Sequence, residues 1–168
     1  MAAKKAVTKA AAPKGERMKL AEGLILRADY AKRLEQIKAR LSRNAKVQEG
    51  EKPAEDPTGL LREFEDVARR FEQIIQRINR TNVATTVEAG VSLADAITKR
   101  DVLRLRQAMY RDLAVAATVT QDRHTRSEVK FKGTVSVVQI QKEADNAAKV
   151  HRELDAKIQE ANWKTDLK

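Results

Sequence analysis

Residues 56–78 read DPTGLLREFEDVARRFEQIIQRI, and the fold class follows from this stretch. Asp56 is a residue type that caps helix N-termini, and Pro57 suits the first helical position, where its missing N–H costs nothing. Leu60, Phe64, Val67, Phe71, Ile74 and Ile78 then recur in alternating steps of four and three, which places them on one face of an α-helix. Leu61, Ala68 and Ile75 widen that face. A helix with such a stripe must bury it against others of its kind.

The flanking sequence supplies those helices. Upstream, Leu20, Leu24, Ala31, Leu34, Ile37, Leu41 and Ala45 repeat at helical spacing from about Arg17 to Ala45, interrupted by Arg27. An acidic connector, Gln48–Pro57, joins the two. Downstream, Asn79–Asn82 is read as the helix end and Val83–Val91, β-branched and broken at Glu88-Ala89-Gly90, as a small β-hairpin. This hairpin is expected to pair with residues 129–135 or with another subunit. Ser92 with Asp95 opens a third helix carrying Leu93, Ile97, Leu103, Met109, Tyr110, Leu113 and Ala117 and ending near Gln121. After a polar bend, Val129, Phe131 and Gly133 alternate with lysines as a short strand. Ser136 with Gln139 caps a last helix whose Ile140, Ala144, Ala147, His151, Leu154, Ile158 and Ala161 keep a four-three rhythm. The expected fold is mainly α: an antiparallel four-helix bundle of coiled-coil-like hairpins, helices one with two and three with four, plus a small β-hairpin element. Stripes wider than a two-helix contact requires point to a homo-oligomer. The only tryptophan, Trp163, is expected to fold back as a plug over the bundle end.

Composition agrees. Of 168 residues, 35% are charged against ~25% in an average chain, aromatics make up 4%, and there are six glycines and three prolines. Cysteine is absent, so no disulfide, thiol nucleophile or cysteine zinc site exists. No apolar run approaches the ~18 residues that span a bilayer, and cytoplasmic residence without a membrane partner is expected. The net charge is +10, and residues 1–20 carry six basic side chains against Glu16, so half the excess lies there. Residues 1–17 read as a flexible Lys/Ala-rich arm, and residues 18–168 as the helical bundle domain.

The search for chemistry excludes most classes. No phosphate-binding Gly-Lys-Ser/Thr loop, dinucleotide fingerprint or Gly-x-Ser-x-Gly elbow occurs. His151 lies on the apolar seam of the last helix and reads as structural. His124 has Asp122 nearby, but a metal site needs three or four ligands. No Glu-x-x-His pair is present, which sets aside a di-iron bundle. No cofactor, no metal and no catalytic residue are expected. One constellation rises above background: Arg77, Asn79, Arg80 and Asn82 close helix two, Arg100 and Arg104 open helix three, and Arg123 and Arg126 follow it. The first two groups should meet at one bundle end, and the third lies ~40 Å away by helical rise. They form either an anion- or partner-binding surface or a set of salt bridges with acids such as Glu72, Asp95, Asp101 and Asp112.

Several strings are distinctive: 18–29, MKLAEGLILRAD; 43–50, RNAKVQEG; 77–82, RINRTN; 100–103, RDVL; 121–131, QDRHTRSEVKF; and 158–163, IQEANW. They resemble a family of small bacterial proteins that bear the name septicolysin or are described as of unknown function. The resemblance implies that the family begins at Met18 and lends no catalytic residues. A pore-former needs a membrane-inserting apolar segment or long amphipathic strands, and neither is present, so the cytolytic activity in that name is not expected. The expectation is a non-catalytic, oligomeric helical structural or interaction protein. The alternative is a nucleic-acid-associated protein whose Lys4, Lys5, Lys9 and Lys14 neutralise phosphates weakly and without sequence preference.

Overall fold

A computed structural model describes residues 18–118 and 132–168. They form α1 (Leu20–Asn44), α2 (Pro57–Ala84), β1 (Thr86–Glu88), β2 (Val91–Ser92), α3 (Leu93–Ala117) and α4 (Val137–Lys164). The chain is a helical bundle with one small antiparallel hairpin, as the patterning requires.

The helix starts are chemical. Asp56 accepts hydrogen bonds from the N–H groups of Thr58 (3.0 Å) and Gly59 (2.9 Å). Ser92 Oγ accepts from Asp95 N at 3.1 Å and donates to the Asp95 carboxylate at 2.6 Å. Ser136 Oγ accepts from Gln139 N at 3.4 Å. At α1 the Glu22 carboxylate reaches back to the Lys19 N–H at 2.6 Å. Each bond satisfies a donor that the first helical turn leaves without an intrahelical partner.

α1 packs along α2, and α3 along α4. The four helices share one core only where the start of α1, the end of α2, the start of α3 and the end of α4 meet. There Leu20, Ile74, Ile78, Leu93, Ala96, Leu154, Ile158 and Leu167 are buried together. A second cluster, Ile37, Leu60 and Val67 with Tyr30, Leu34, Leu41 and Phe64 against it, belongs to α1 and α2 alone. The bundle is therefore two helical hairpins fused at a hub. Along α1 the buried line passes through Tyr30 and Asn44, while their neighbours Ala31 and Ala45 are exposed.

Three boundaries differ from the sequence reading. α2 does not end at Asn79–Asn82 but runs to Ala84. Thr81 is fully buried in phase with Ile78, and its hydroxyl donates to Arg77 O (2.8 Å) while Thr85 donates to Thr81 O (2.7 Å). Each hydroxyl is satisfied on the carbonyl one turn back, and burial of Thr81 carries the helix past its expected end. The hairpin therefore starts at Thr86. It turns at Gly90, whose φ of 77° suits glycine, and is closed by Leu93 N donating to Thr85 O at 2.7 Å. β1 pairs with β2, and Val87 and Val91 pack on the hub. α3 stops at Ala117, where Thr118 Oγ1 donates to Ala114 O at 2.8 Å. Of the second expected strand, Val129–Phe131 lie outside the described residues and residues 132–135 carry no strand.

The bundle end is closed by a residue other than Trp163, which is 59% exposed. Five residues beyond Ile158, its side chain points ~140° away from the seam. Leu167 takes its place at 8% exposure. The chain after α4 turns at Thr165 and runs antiparallel to residues 18–20. Leu20 N donates to Thr165 O (2.9 Å) and Leu167 N to Met18 O (2.8 Å). The Leu167 side chain lies on Gly23, where a Cβ would sit 2.8 Å from it. Lys19 pairs with Asp166 at 2.6 Å. Lys168 N donates to Thr81 Oγ1 at 2.9 Å.

Candidate functional site

The hub brings together the end of α2 and the start of α3, and with them most of the described arginine and asparagine cluster. Arg77 is half-buried and donates to the carbonyls of Lys168 (3.3 Å) and Leu167 (3.4 Å), so it holds the returning chain in place. Arg100 donates to Asp101 at 2.8 Å and to Asp155 at 3.3 Å, linking α3 to α4. The hydrogen bond to Asp101, and then the charges of Asp101 and Asp155, hold its guanidinium pKa above the ordinary value against partial desolvation. Asn79, Arg80 and Arg104 are exposed and Asn82 is half-buried. Arg80 and Arg104 form no ion pair with another described residue. Arg123 and Arg126 lie outside the described residues, as do Lys4, Lys5, Lys9 and Lys14. The half of the cluster that is engaged ties elements of the hub together, and the free half is split between two helices.

A second cationic place, which the sequence reading passed over, lies along α1 and α2. Arg33, Gln36, Ile37, Arg40, Arg43 and Glu63 line an open groove of ≈ 380 Å³. Its charges are largely spent within it. Arg33 pairs with Glu63 at 2.5 Å, and Arg40 with Glu55 and with Glu63 at 3.6 Å. The Arg40 hydrogen bond holds the Glu55 carboxyl below the ordinary range and raises Arg40 in return. Buried Asn44 completes this end: its amide donates to Arg40 O (2.9 Å) and its oxygen accepts from Glu55 N (3.0 Å).

The third feature is apolar. On α3, Leu93, Arg100, Gln107 and Ala114 recur every seven residues, and all are buried or half-buried. Arg100 shows which way this side points, since it binds Asp155 of α4. On the opposite side lie Val102, Leu105 and Met109, exposed by 42%, 69% and 48%. Met109 therefore belongs to a different face from Leu93, with which it was grouped in the sequence. The signal that separates them is the spacing 102-105-109, a heptad's first and fourth positions, set against the seven-residue repeat of Leu93. The other exposed large apolar residues among those described are Ile25, Val47, Leu61, Val83, Val115, Val135, Val138 and Trp163, and single exposed apolar side chains are ordinary for a protein surface.

Among the described residues no group of three His, Cys, Asp or Glu side chains is arranged to hold a metal ion. His151 is half-buried on α4 beside the Leu154 seam. No described helix is long and apolar enough to cross a membrane.

The comparisons with known proteins give a family and a fold. The fold is similar to the crystal structure of a functionally unknown conserved protein from Corynebacterium diphtheriae, with 43% sequence identity and a TM-score of 0.85 over 91% of this chain and 100% of that one. No curated protein matches the chain. The family model for DUF6847, a family of unknown function, matches residues 27–167. This chain belongs to that family, and neither description carries the septicolysin name.

Proposed function

We propose that the protein is a non-catalytic helical interaction module that works as a homo-oligomer in the cytoplasm. The observation that carries this reading is the outward stripe of α3. Val102, Leu105 and Met109 form a continuous apolar line on the side of α3 away from α4. Exposed apolar side chains in a contiguous line mark association surfaces, whereas single ones do not. A catalytic role has little to draw on. The sequence offers no thiol, and its arginines at the hub and in the groove are mostly committed to internal pairs. Cysteine-free composition also suits a reducing compartment.

Light scattering or sedimentation at low micromolar concentration tests the proposal. The wild-type chain is expected to be larger than a monomer, and Leu105→Glu is expected to dissociate it with its helical circular dichroism unchanged. A wild-type chain that stays monomeric while fully folded overturns the reading.

A second reading, nucleic-acid association, has one structural observation in its favour beyond the basic arm. The back of α2, opposite its buried stripe, exposes Arg62, Arg69 and Arg80, with Glu65 and Glu72 between them and Arg69 paired to Asp66 at 3.4 Å. The three arginines can contact phosphates without reading bases, against the opposing charge of the two glutamates. Duplex binding that falls steeply with salt and weakens in Arg69→Glu/Arg80→Glu would support it. Binding that disappears with the arm alone would assign it to Lys4, Lys5, Lys9 and Lys14 instead.

A further inference from the structure

The outward face of α3 specifies more than self-association; its flanking charges carry an orientation. With Val102 at the first position of a heptad and Leu105 at the fourth, Met109 is the next first position and Thr98 the preceding fourth. Asp95 and Asp112 stand at the ends of this seam, where a carboxylate would be costly to bury, so they limit it to about two heptads. The seam has two edges. One carries Asp101 and Ala108, and the other carries Lys99 and Arg106. All four are exposed. One edge is therefore acidic and the other basic.

Edges decide how two helices face each other. In a parallel pair, the edge residue before one heptad meets the opposite edge of the partner five residues on; in an antiparallel pair, like edges meet. Here Asp101 and Arg106 are five apart and lie on opposite edges. A parallel pair in register would set Asp101 against Arg106 of the partner subunit, twice by symmetry. An antiparallel pair would put the basic edge, with Lys99 and Arg106, against itself. The seam residues point the same way on stoichiometry, since a β-branched residue at the first position with leucine at the fourth favours two strands. Arg100 already holds Asp155 as well as Asp101, so Asp101 can turn to a new cation without leaving Arg100 unpaired.

We propose that α3 pairs with α3 of a second copy as a parallel, in-register dimer along Thr98–Met109, oriented by Asp101 and Arg106. This rests on the self-association reading above, and its test separates the two. The chain has no cysteine, so single-cysteine variants report contacts cleanly. In a parallel, in-register pair every seam residue meets its own copy. Val102→Cys and Met109→Cys in the full chain, seven residues apart, should each form a disulfide-linked dimer on mild oxidation. An antiparallel pair cannot satisfy both. Both positions are exposed in the monomer, so neither change disturbs the folded core. Asp101→Arg should weaken the dimer several-fold, and adding Arg106→Asp should restore it. A dimer by light scattering that fails to cross-link at 102 and 109 overturns the parallel pairing and leaves self-association standing. A monomer overturns both.

Discussion

The two hairpins of this molecule use their large apolar residues differently. α1 and α2 turn theirs inward. Ile37, Leu60 and Val67 are buried, and Tyr30, Leu34, Leu41 and Phe64 pack around them. Ion pairs from Arg33 and Arg40 to Glu63 and Glu55 cross the same seam, and Asn44 secures its far end. Away from the hub, α3 and α4 meet through small residues instead. Ala114, Ala144 and Ala147 are the fully buried ones, with Tyr110 and Ile140 half-buried, while Leu105 and Met109 face outward. A seam of methyl groups removes far less area from water than one of isoleucine and leucine. The first hairpin has what it needs within one chain. The second has moved its best apolar surface to the side where a partner would lie.

The contrast can be broken by mutation. The largest effect is expected from Ile37→Ala, which empties a site that is 1% exposed. It should cost ~3 kcal/mol in denaturant unfolding, by the same amount at every protein concentration. A concentration-dependent loss would mean that the first hairpin also needs a partner. Asn44→Ala comes next, because it strips the bonds to Arg40 O and Glu55 N from a buried position. The expected cost is ~2 kcal/mol. Asp56→Ala removes the α2 cap and should cost ~1 kcal/mol, read from the same unfolding curves.

On the second hairpin, Leu105→Ala should leave monomer stability within ~0.5 kcal/mol, since the side chain is already exposed. What it should abolish is the rise of melting temperature with protein concentration. A melting temperature that never depends on concentration in the wild type would remove the distinction between the hairpins.

The smallest effect is electrostatic. Hydrogen bonding to Arg40 and Lys157 holds Glu55 and Glu88 below the ordinary glutamate value of 4.5. A carboxylate whose folded pKa is depressed stabilises the fold at pH above its unfolded value, and that contribution is lost as pH falls through the folded one. Both pairs are solvent-exposed and screened, so the expected result is a shallow acid limb below about pH 5 that Glu55→Gln and Glu88→Gln each flatten. An unchanged limb in both variants would show that these pairs contribute nothing.

Much of this architecture could be read from residue order. Asp56-Pro57 and the stripe to Ile78 give α2, and Ser92 with Asp95 and Ser136 with Gln139 give the other starts, because capping and periodicity are local physics. The rest depends on contacts that no local pattern encodes. Tyr30 and Ala31 both suit the period of α1, and only the position of α2 selects Tyr30. Val83–Thr85 has strand-forming composition, yet the helix continues to Ala84 because the buried Thr81 carries the stripe one turn further. Leu167, a lone leucine beyond the last helix, gives no sign that it fits the bare backbone at Gly23, whereas the conspicuous Trp163 falls out of phase. The candidate surface was hidden in the same way. Met109 reads with the core-facing side of α3, and Val102 and Leu105 are passed over, until Arg100 and Ala114 show where α4 lies.

The pairing of residues 18–20 with residues 165–167 also bears on connectivity. The path from residue 18 leaves the hub and returns to it, so residues 18–20 and 165–167 are neighbours across a backbone ladder of two hydrogen bonds. Topologically the fold is a ring opened at the hub. The connector around Gly50, with a φ of 89° and no atom within 4 Å of where a Cβ would stand, is an exposed point at which that ring can be opened instead. A circular permutant sealed at the hub and cut at Glu49–Gly50 should keep every helix and every core contact while moving α1 to the end of the chain, so that it is synthesised last, after the second hairpin.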